Sequence, residues 1–356
     1  MKPIALSLAR AVAERFSMPG RLEGLETFER GHIHDTFVSR WSEGDLTSRF
    51  LHQRMNADVF RDIPGLMHNV ERVTAHLRSK SQARPTGPQA LELVPLPDGA
   101  TWLEDSSGPW RTYRFIEHSQ SFDRCRDANL AFAAAHAFGQ FQADLADLDP
   151  ADLRTPLPGF FDAAKRAAEL DAAVATDRTG RVDASAPELR AVARLRPLIA
   201  ELDARLASSG APDRIVHGDT KLNNVLFDER NGEAMCIVDL DTCMPGWSLY
   251  DFGDLVRFTA ATCAEDEQDL AQAGTDAELY GALRDGYLIG AGDMLTPGEA
   301  ALMPLAARVV TLMIGMRFLA DHLNGDVYFR ARRDGHNLDR ARVQLAMVER
   351  MQELQA

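Results

Sequence analysis

The segment His217-Gly218-Asp219-Thr220-Lys221-Leu222-Asn223-Asn224, followed by the apolar Val225-Leu226-Phe227, holds the residue types needed to transfer a phosphoryl group to an alcohol. That reaction needs a carboxylate to orient the hydroxyl and take its proton, with hard oxygen ligands for Mg2+ beside it. Asp219 and Asn224, five residues apart, match that spacing. Lys221, two residues after the aspartate, can reach a transferring phosphate. Lysine is scarce, Lys2, Lys80, Lys165 and Lys221 being the only four, so a lysine inside a motif carries more information than usual. A second metal carboxylate should close a nearby strand, and Ile237-Val238-Asp239 supplies one 20 residues downstream of Asp219. Any isolated His-x-Asp is most simply a solvated loop. Here the Asp/Asn spacing, the lysine between them, the flanking strands and the later apolar-Asp coincide, which outweighs that reading. His217 itself reads as an architectural hydrogen-bonder rather than a base.

The elements that must position these residues follow from hydrophobic pattern. Residues 215–241 form a short strand-rich island with Asn231-Gly232 as its turn. Upstream, two strands within 25–40 and 49–55 flank the turn Ser42-Glu43-Gly44-Asp45, and Leu66, Val70, Val73 and Leu77 make the apolar stripe of a helix over 64–77. Strand signals return at 91–96, 100–103 and 110–117, broken by Pro97-Asp98-Gly99 and Ser106-Ser107-Gly108-Pro109. Beyond 121 the chain reads as helical through 207, with 128–145 and 188–206 the clearest helices and loops at 149–159 and 176–187. Helices resume after the island. The expectation is an α+β, bilobal, protein-kinase-like fold with a small β-rich N-lobe and a larger, mainly helical C-lobe. Residues 1–117 would be the nucleotide-binding lobe and 118–356 the catalytic and acceptor-binding lobe, with the crossing near 115–121.

A chain of 356 residues suits two unequal domains, and 45% hydrophobic with 26% charged residues is an ordinary globular balance. The net charge of -14 argues against a nucleic-acid or anionic-membrane partner, since phosphate backbones need a basic footprint. Cys125, Cys236, Cys243 and Cys263 show neither a disulfide framework nor a zinc spacing, which fits a reducing cytoplasm. Residues 1–20 read as an amphipathic helix without the apolar centre of a signal peptide, and no run is expected to reach transmembrane length. A monomer is expected.

The stretches His217-Gly218-Asp219-Thr220-Lys221-Leu222-Asn223-Asn224 and 237–258 resemble the aminoglycoside phosphotransferase and choline kinase superfamily, and more closely the bacterial N-acetylhexosamine 1-kinases. The similarity extends to Gly31-His32-Ile33-His34-Asp35-Thr36-Phe37, to Trp110-Arg111-Thr112-Tyr113-Arg114-Phe115-Ile116-Glu117, and to 315–329 with His336-Asn337-Leu338 beyond. The resemblance implies ATP and Mg2+ as cofactors, Asp219 as catalytic base, and Asn224 with Asp239 on the metal. It makes the later Asp251, in Asp251-Phe252-Gly253, a brace for the catalytic loop instead of a metal ligand. Arg317 and Tyr328 are implied as sugar contacts. The implied reaction phosphorylates the anomeric hydroxyl of an N-acetylhexosamine, a step of carbohydrate metabolism.

Where the chain departs from the family, alternatives stay open. The glycine-rich loop has one glycine, Gly31, so that turn with His32 either cradles phosphate or is a plain strand connection. His34 stands where the family more often has Asn. No lysine lies between Lys2 and Lys80, so Gln53 or Arg54 must replace the strand lysine of protein kinases. Glu117 and His118 belong to the 115–118 hinge, whose backbone would face adenine. Arg317 lies on an otherwise apolar helix, where a salt bridge is the alternative to a sugar contact. The rival functions are a kinase of this fold for an aminoglycoside, amino alcohol or homoserine, and a catalytically silent kinase-like binding module. Carboxylates clustered at the acceptor site would favour a cationic acceptor.

Overall fold

The computed structural model describes residues 4–29, 33–84 and 87–352. In chain order the elements are α1 (Leu6–Ala13), β1 (Arg21–Thr27), β2 (Asp35–Glu43), β3 (Leu46–Arg54), α2 (Ile63–Gln82), β4 (Trp102–Asp105), β5 (Gly108–Arg114), β6 (Ser119–Gln120), α3 (Ala128–Leu145), α4 (Ala163–Thr176), α5 (Ala186–Leu195) and α6 (Pro197–Ser209). There follow β7 (Arg214–Val216), β8 (Val225–Asp228), β9 (Ala234–Ile237), α7 (Ser248–Thr259), α8 (Ala277–Ala291), α9 (Pro297–Ala300), α10 (Met303–Asn324) and α11 (His336–Met351). This is the α+β order expected, a β-sheet N-terminal region followed by a helical remainder. Two compact units result: residues 1–120, 147–158 and 226–245 form the first, and 121–146, 159–225 and 246–356 the second.

The first unit is built on an antiparallel five-stranded sheet in the order β1-β2-β3-β5-β4. Gly44 takes φ +61° in the β2–β3 turn, which aligns Gln53 opposite Thr36 and Arg54 opposite Asp35. Phe37, Trp41, Phe50, Leu103 and Trp110 pack with Ala9, Val12 and Phe16 into one core. On α2, Asp62 caps the first turn by accepting from the Gly65 N–H at 2.9 Å, and Pro64 tolerates its missing donor there. The strand expected at 91–96 is an irregular segment instead. It makes an isolated bridge from Leu93 to Tyr113, and Pro95 and Pro97 cannot donate to a continuous ladder. The β8–β9 hairpin belongs to this unit because β6 pairs with β8 and Gln89 bridges to Cys236.

The second unit is helical. Gly139, Gly286 and Gly290 let α3 and α8 meet backbone to backbone, since a Cβ on them would lie 2.5, 2.4 and 2.2 Å from carbonyl oxygens of the facing helix. The single helix expected over 188–206 is two, because Pro197 starts α6 after Arg196 and carries no N–H to continue α5. Among the described residues one helix does reach membrane-crossing length and composition, contrary to expectation. It is α10, 22 residues long, and 78% of its apolar window is buried, as in the central helix of a packed bundle. The four cysteines are free thiols.

Candidate functional site

In the second unit the apolar strand β7 delivers the chain to His217, whose ring is fully buried. The Phe138 and Phe141 rings pack edge-on against it with centroids 5.4 and 5.6 Å away, and its Nδ1 accepts the Asp219 N–H at 3.2 Å. His217 is therefore architectural, and Phe138 and Phe141 on α3 hold it. Asp251 on α7 then fixes the turn. Its carboxylate accepts the N–H groups of His217 and Gly218, both at 2.8 Å, and a bond from Gln142 Nε2, while its main-chain oxygen accepts Thr220 Oγ at 2.6 Å. Burial pushes the Asp251 carboxyl up, and His217 with these donors opposes that rise. Gly253, two residues on, serves packing: a Cβ there would lie 2.7 Å from Val310 Cγ2 on α10.

That brace carries an expected result. Asp251→Ala strands two buried main-chain donors and the Gln142 amide, each costing about 1–3 kcal/mol. The thermal midpoint falls and turnover drops with it, while residual activity keeps the wild-type Mg2+ requirement. A changed Mg2+ titration would instead make Asp251 a metal ligand.

Asp219, thus presented, ion-pairs with Lys221 Nζ at 2.8 Å. Asn224 closes the loop from a short 3-10 turn, its Nδ2 donating to the Asp219 main-chain oxygen at 2.7 Å and to Asp219 Oδ2 at 3.2 Å. Lys221 also lies over the Phe258 ring at 5.0 Å. Burial works to lower its pKa, but Asp219 and then Asp254 outweigh that and the net shift is upward, so the lysine stays charged. Arg257 extends the cationic group, pairing with Asp254 and Glu265 within range of the Asp219 charge.

Arg317 on α10 lies in the same field, where burial first, then Arg166 and Arg257, lower its pKa. Its guanidinium stands 5.3 Å from the Phe160 and Phe329 ring centroids and 5.6 Å from that of Tyr328, with Nη2 3.4 Å from Tyr328 Oη. Among the described residues it forms no ion pair. Phe160 meets Phe161 edge-on at 5.0 Å. Phe161 and Val216, the latter just before the Asp219 loop, both border Gly246, where a Cβ would lie 3.0 Å from Val216 Cγ2 and 3.7 Å from Phe161 Cδ2. Tyr328 is presented by Asp321, whose carboxylate accepts the N–H groups of Val327, Tyr328 and Phe329 at 3.0, 2.8 and 2.9 Å.

In the first unit Asp239 follows β9 and adopts φ +63°, ψ +59°, a left-handed conformation uncommon outside glycine. It opens the short turn Leu240–Thr242, in which Asp241 is 3% exposed. Arg111 grips Asp241 with both arms of its guanidinium, at 2.5 and 2.9 Å, and His34 Nε2 bonds the same carboxylate. Of the nucleotide candidates, Gln53 Oε1 accepts Arg111 Nε at 2.9 Å, and Arg54 donates to Asp35 at 2.9 Å and to the Ser107 carbonyl. Glu117 pairs with Arg49; His118 has φ +55° and bonds Glu229 at 3.0 Å. Gly31 and His32 lie outside the described residues. Sequence reasoning passed over Arg111 and Asp241; the available signal was an arginine between Trp110 and Tyr113 in a predicted strand and a second aspartate in Asp239-Leu240-Asp241.

Each proposed donor has the chemistry for Mg2+: in the first unit Asp239 offers a carboxylate, and in the second Asn224, with its Nδ2 spent on Asp219, offers an amide oxygen, each a hard ligand of the kind this ion selects.

The chain's fold matches an aminoglycoside phosphotransferase from Alicyclobacillus acidocaldarius subsp. acidocaldarius DSM 446, at TM-score 0.64 and 14% identity over 99% of this chain and 95% of that one. It also matches a microcompartment-associated aminopropanol kinase at 0.62 and 16%, with 98% of each chain covered, and a spectinomycin phosphotransferase solved with ADP and spectinomycin at 0.57 and 11%, with 99% of each covered. Residues 25–287 match the model of the phosphotransferase enzyme family. Over that span, with the Asp219 loop inside it, the chain belongs to the phosphotransferase enzyme family, ATP-dependent enzymes that phosphorylate hydroxyl groups of small molecules.

Proposed function

We propose that the chain is a sugar kinase that transfers the γ-phosphoryl group of ATP to the anomeric hydroxyl of an N-acetylhexosamine, giving the sugar 1-phosphate and ADP. The observation that carries this reading is Arg317, a cation without an ion-pair partner among the described residues, walled by Phe160, Tyr328 and Phe329. Such a group suits a neutral ligand that brings carbonyl or hydroxyl oxygens and a partly apolar surface. An aminoglycoside or amino alcohol, as the names of the fold neighbours would suggest, would carry an ammonium toward Arg317, which forms no ion pair among the described residues, and this disfavours it.

In the mechanism, Asp219 orients the acceptor hydroxyl and takes its proton as the new O–P bond forms and the bond to the β-phosphate oxygen breaks. Lys221, already paired with Asp219, offsets negative charge at the transferring group. Asn224 and Asp239 would hold Mg2+, which when bound neutralises charge on the phosphates. Gly31, His32, Gln53, Arg54, Glu117 and His118 are the proposed nucleotide contacts, and the enzyme is proposed to act as a cytoplasmic monomer.

Products made with N-acetylglucosamine or N-acetylgalactosamine should show phosphorus coupling to the anomeric carbon in NMR. Coupling to C6, or no sugar phosphorylation, removes this reading and leaves the family assignment intact. Arg317→Ala should raise the KM for sugar at least about tenfold, the effect of losing one charge-assisted hydrogen bond, with the KM for ATP within about twofold. Equal loss for both substrates counts against an acceptor role.

A further inference from the structure

The sequence lacks the usual strand lysine, yet the first unit contains a strand cation that is fully committed to a carboxylate two residues from Asp239. Arg111, on β5, is 1% exposed. Strand register sets it beside Gln53 on β3, whose Oε1 fixes its Nε and so leaves the two terminal nitrogens for Asp241. A guanidinium held on both edges cannot turn toward a phosphate. Its role has to act through Asp241.

Asp241 has a second partner. His34 immediately precedes β2, and the Asn56 N–H donates to its Nδ1 at 3.0 Å, so Nε2 carries the proton it gives to Asp241. Asn56 also bonds the Ile33 carbonyl at 3.1 Å, and the Phe60 ring lies 5.8 Å from the imidazole. The far end of the same turn is tied as well, since Asn69 Nδ2 donates to the Cys243 carbonyl at 2.9 Å. The strained residue is Asp239, two positions ahead of the Asp241 anchor, and its charge acts on Arg111 as well. A left-handed aspartate persists only where its surroundings over-determine it.

We propose that Arg111, Asp241 and His34 form a positioning triad that holds the turn of Asp239 in the conformation that presents its carboxylate to the metal. The triad does for the metal carboxylate what outer-shell hydrogen bonds do for metal ligands, whose loss typically weakens metal binding about 10–100-fold. It gives Gln53 the task of orienting Arg111, and it accounts for His34 at a position where a shorter Asn could not be assumed to reach Asp241. This inference rests on Asp239 being a metal ligand.

The test compares ADP binding by calorimetry with and without Mg2+, in the full chain, for Asp239→Ala, Asp241→Asn and His34→Asn. Asp241→Asn should weaken Mg·ADP binding about tenfold or more and leave metal-free ADP binding within about twofold. His34→Asn, which keeps the Arg111–Asp241 ion pair, should give a smaller loss of the same kind, and it carries the test if Asp241→Asn does not fold. If Asp239→Ala weakens Mg·ADP binding while the folded triad variants do not, the triad is only structural and the proposal is overturned. Equal weakening with and without metal overturns it too. If Asp239→Ala itself leaves metal-dependent binding unchanged, the metal reading fails first, and the triad proposal with it.

Discussion

Asp219→Asn should lower turnover by about 10²–10⁴-fold, the range expected when a positioned proton acceptor is lost, with the ATP dissociation constant within a few-fold of wild type. The substitution is close to isosteric. The loop around it is held by Asp251 through the His217 and Gly218 N–H groups and by His217 Nδ1 through the residue 219 N–H, and none of these bonds uses the Asp219 carboxylate. The main-chain oxygen of residue 219 still accepts Asn224 Nδ2. What goes is the negative charge that pairs with Lys221, and with it the base. Single-turnover kinetics with saturating ATP measures this directly. Activity within a few-fold of wild type would remove Asp219 from its role.

Asp239→Ala should raise the Mg2+ concentration for half-maximal rate about tenfold or more and lower the maximal rate as well, because one carboxylate would be a large share of the protein's hold on an ion usually bound through only one or two of them. Alanine also tolerates the φ +63° backbone poorly, which adds a contribution from the turn to the loss. Asp239→Asn separates the two causes, since asparagine adopts the left-handed region readily but binds Mg2+ more weakly. The expected order is wild type, then Asn, then Ala in Mg2+ requirement, read from rate against free Mg2+ at fixed Mg·ATP. An unchanged requirement in both variants shows that the metal carboxylate lies elsewhere.

The arrangement of the Asp219 loop was legible in the sequence because it is local. A carboxylate, a lysine and an asparagine within six residues face one another through the turn that joins them, and the chain between them leaves few alternatives. The role of Asp251 as brace, implied by family resemblance, is what the buried donors to its carboxylate show. Element order was legible for the same reason: the apolar stripe of α2 and the Gly44 turn are short-range patterns.

Where the pattern was not local, tertiary structure decided. A proline splits the helix expected over 188–206, and Pro95 and Pro97 leave 91–96 without a ladder, because backbone donors count only against a particular partner. Arg111 and Asp241 are 130 residues apart, and no spacing rule links them. Their meeting depends on the β3–β5 register that sets Arg111 beside Gln53 and on the turn after β9 that buries Asp241. Arg317 shows the same limit. Its sequence neighbours say that a charge sits on an apolar helix, but only the fold supplies the three aromatic rings around it, and only the fold leaves it without an ion pair among the described residues, because those rings come from segments distant in the chain or brought back by the Asp321-anchored loop.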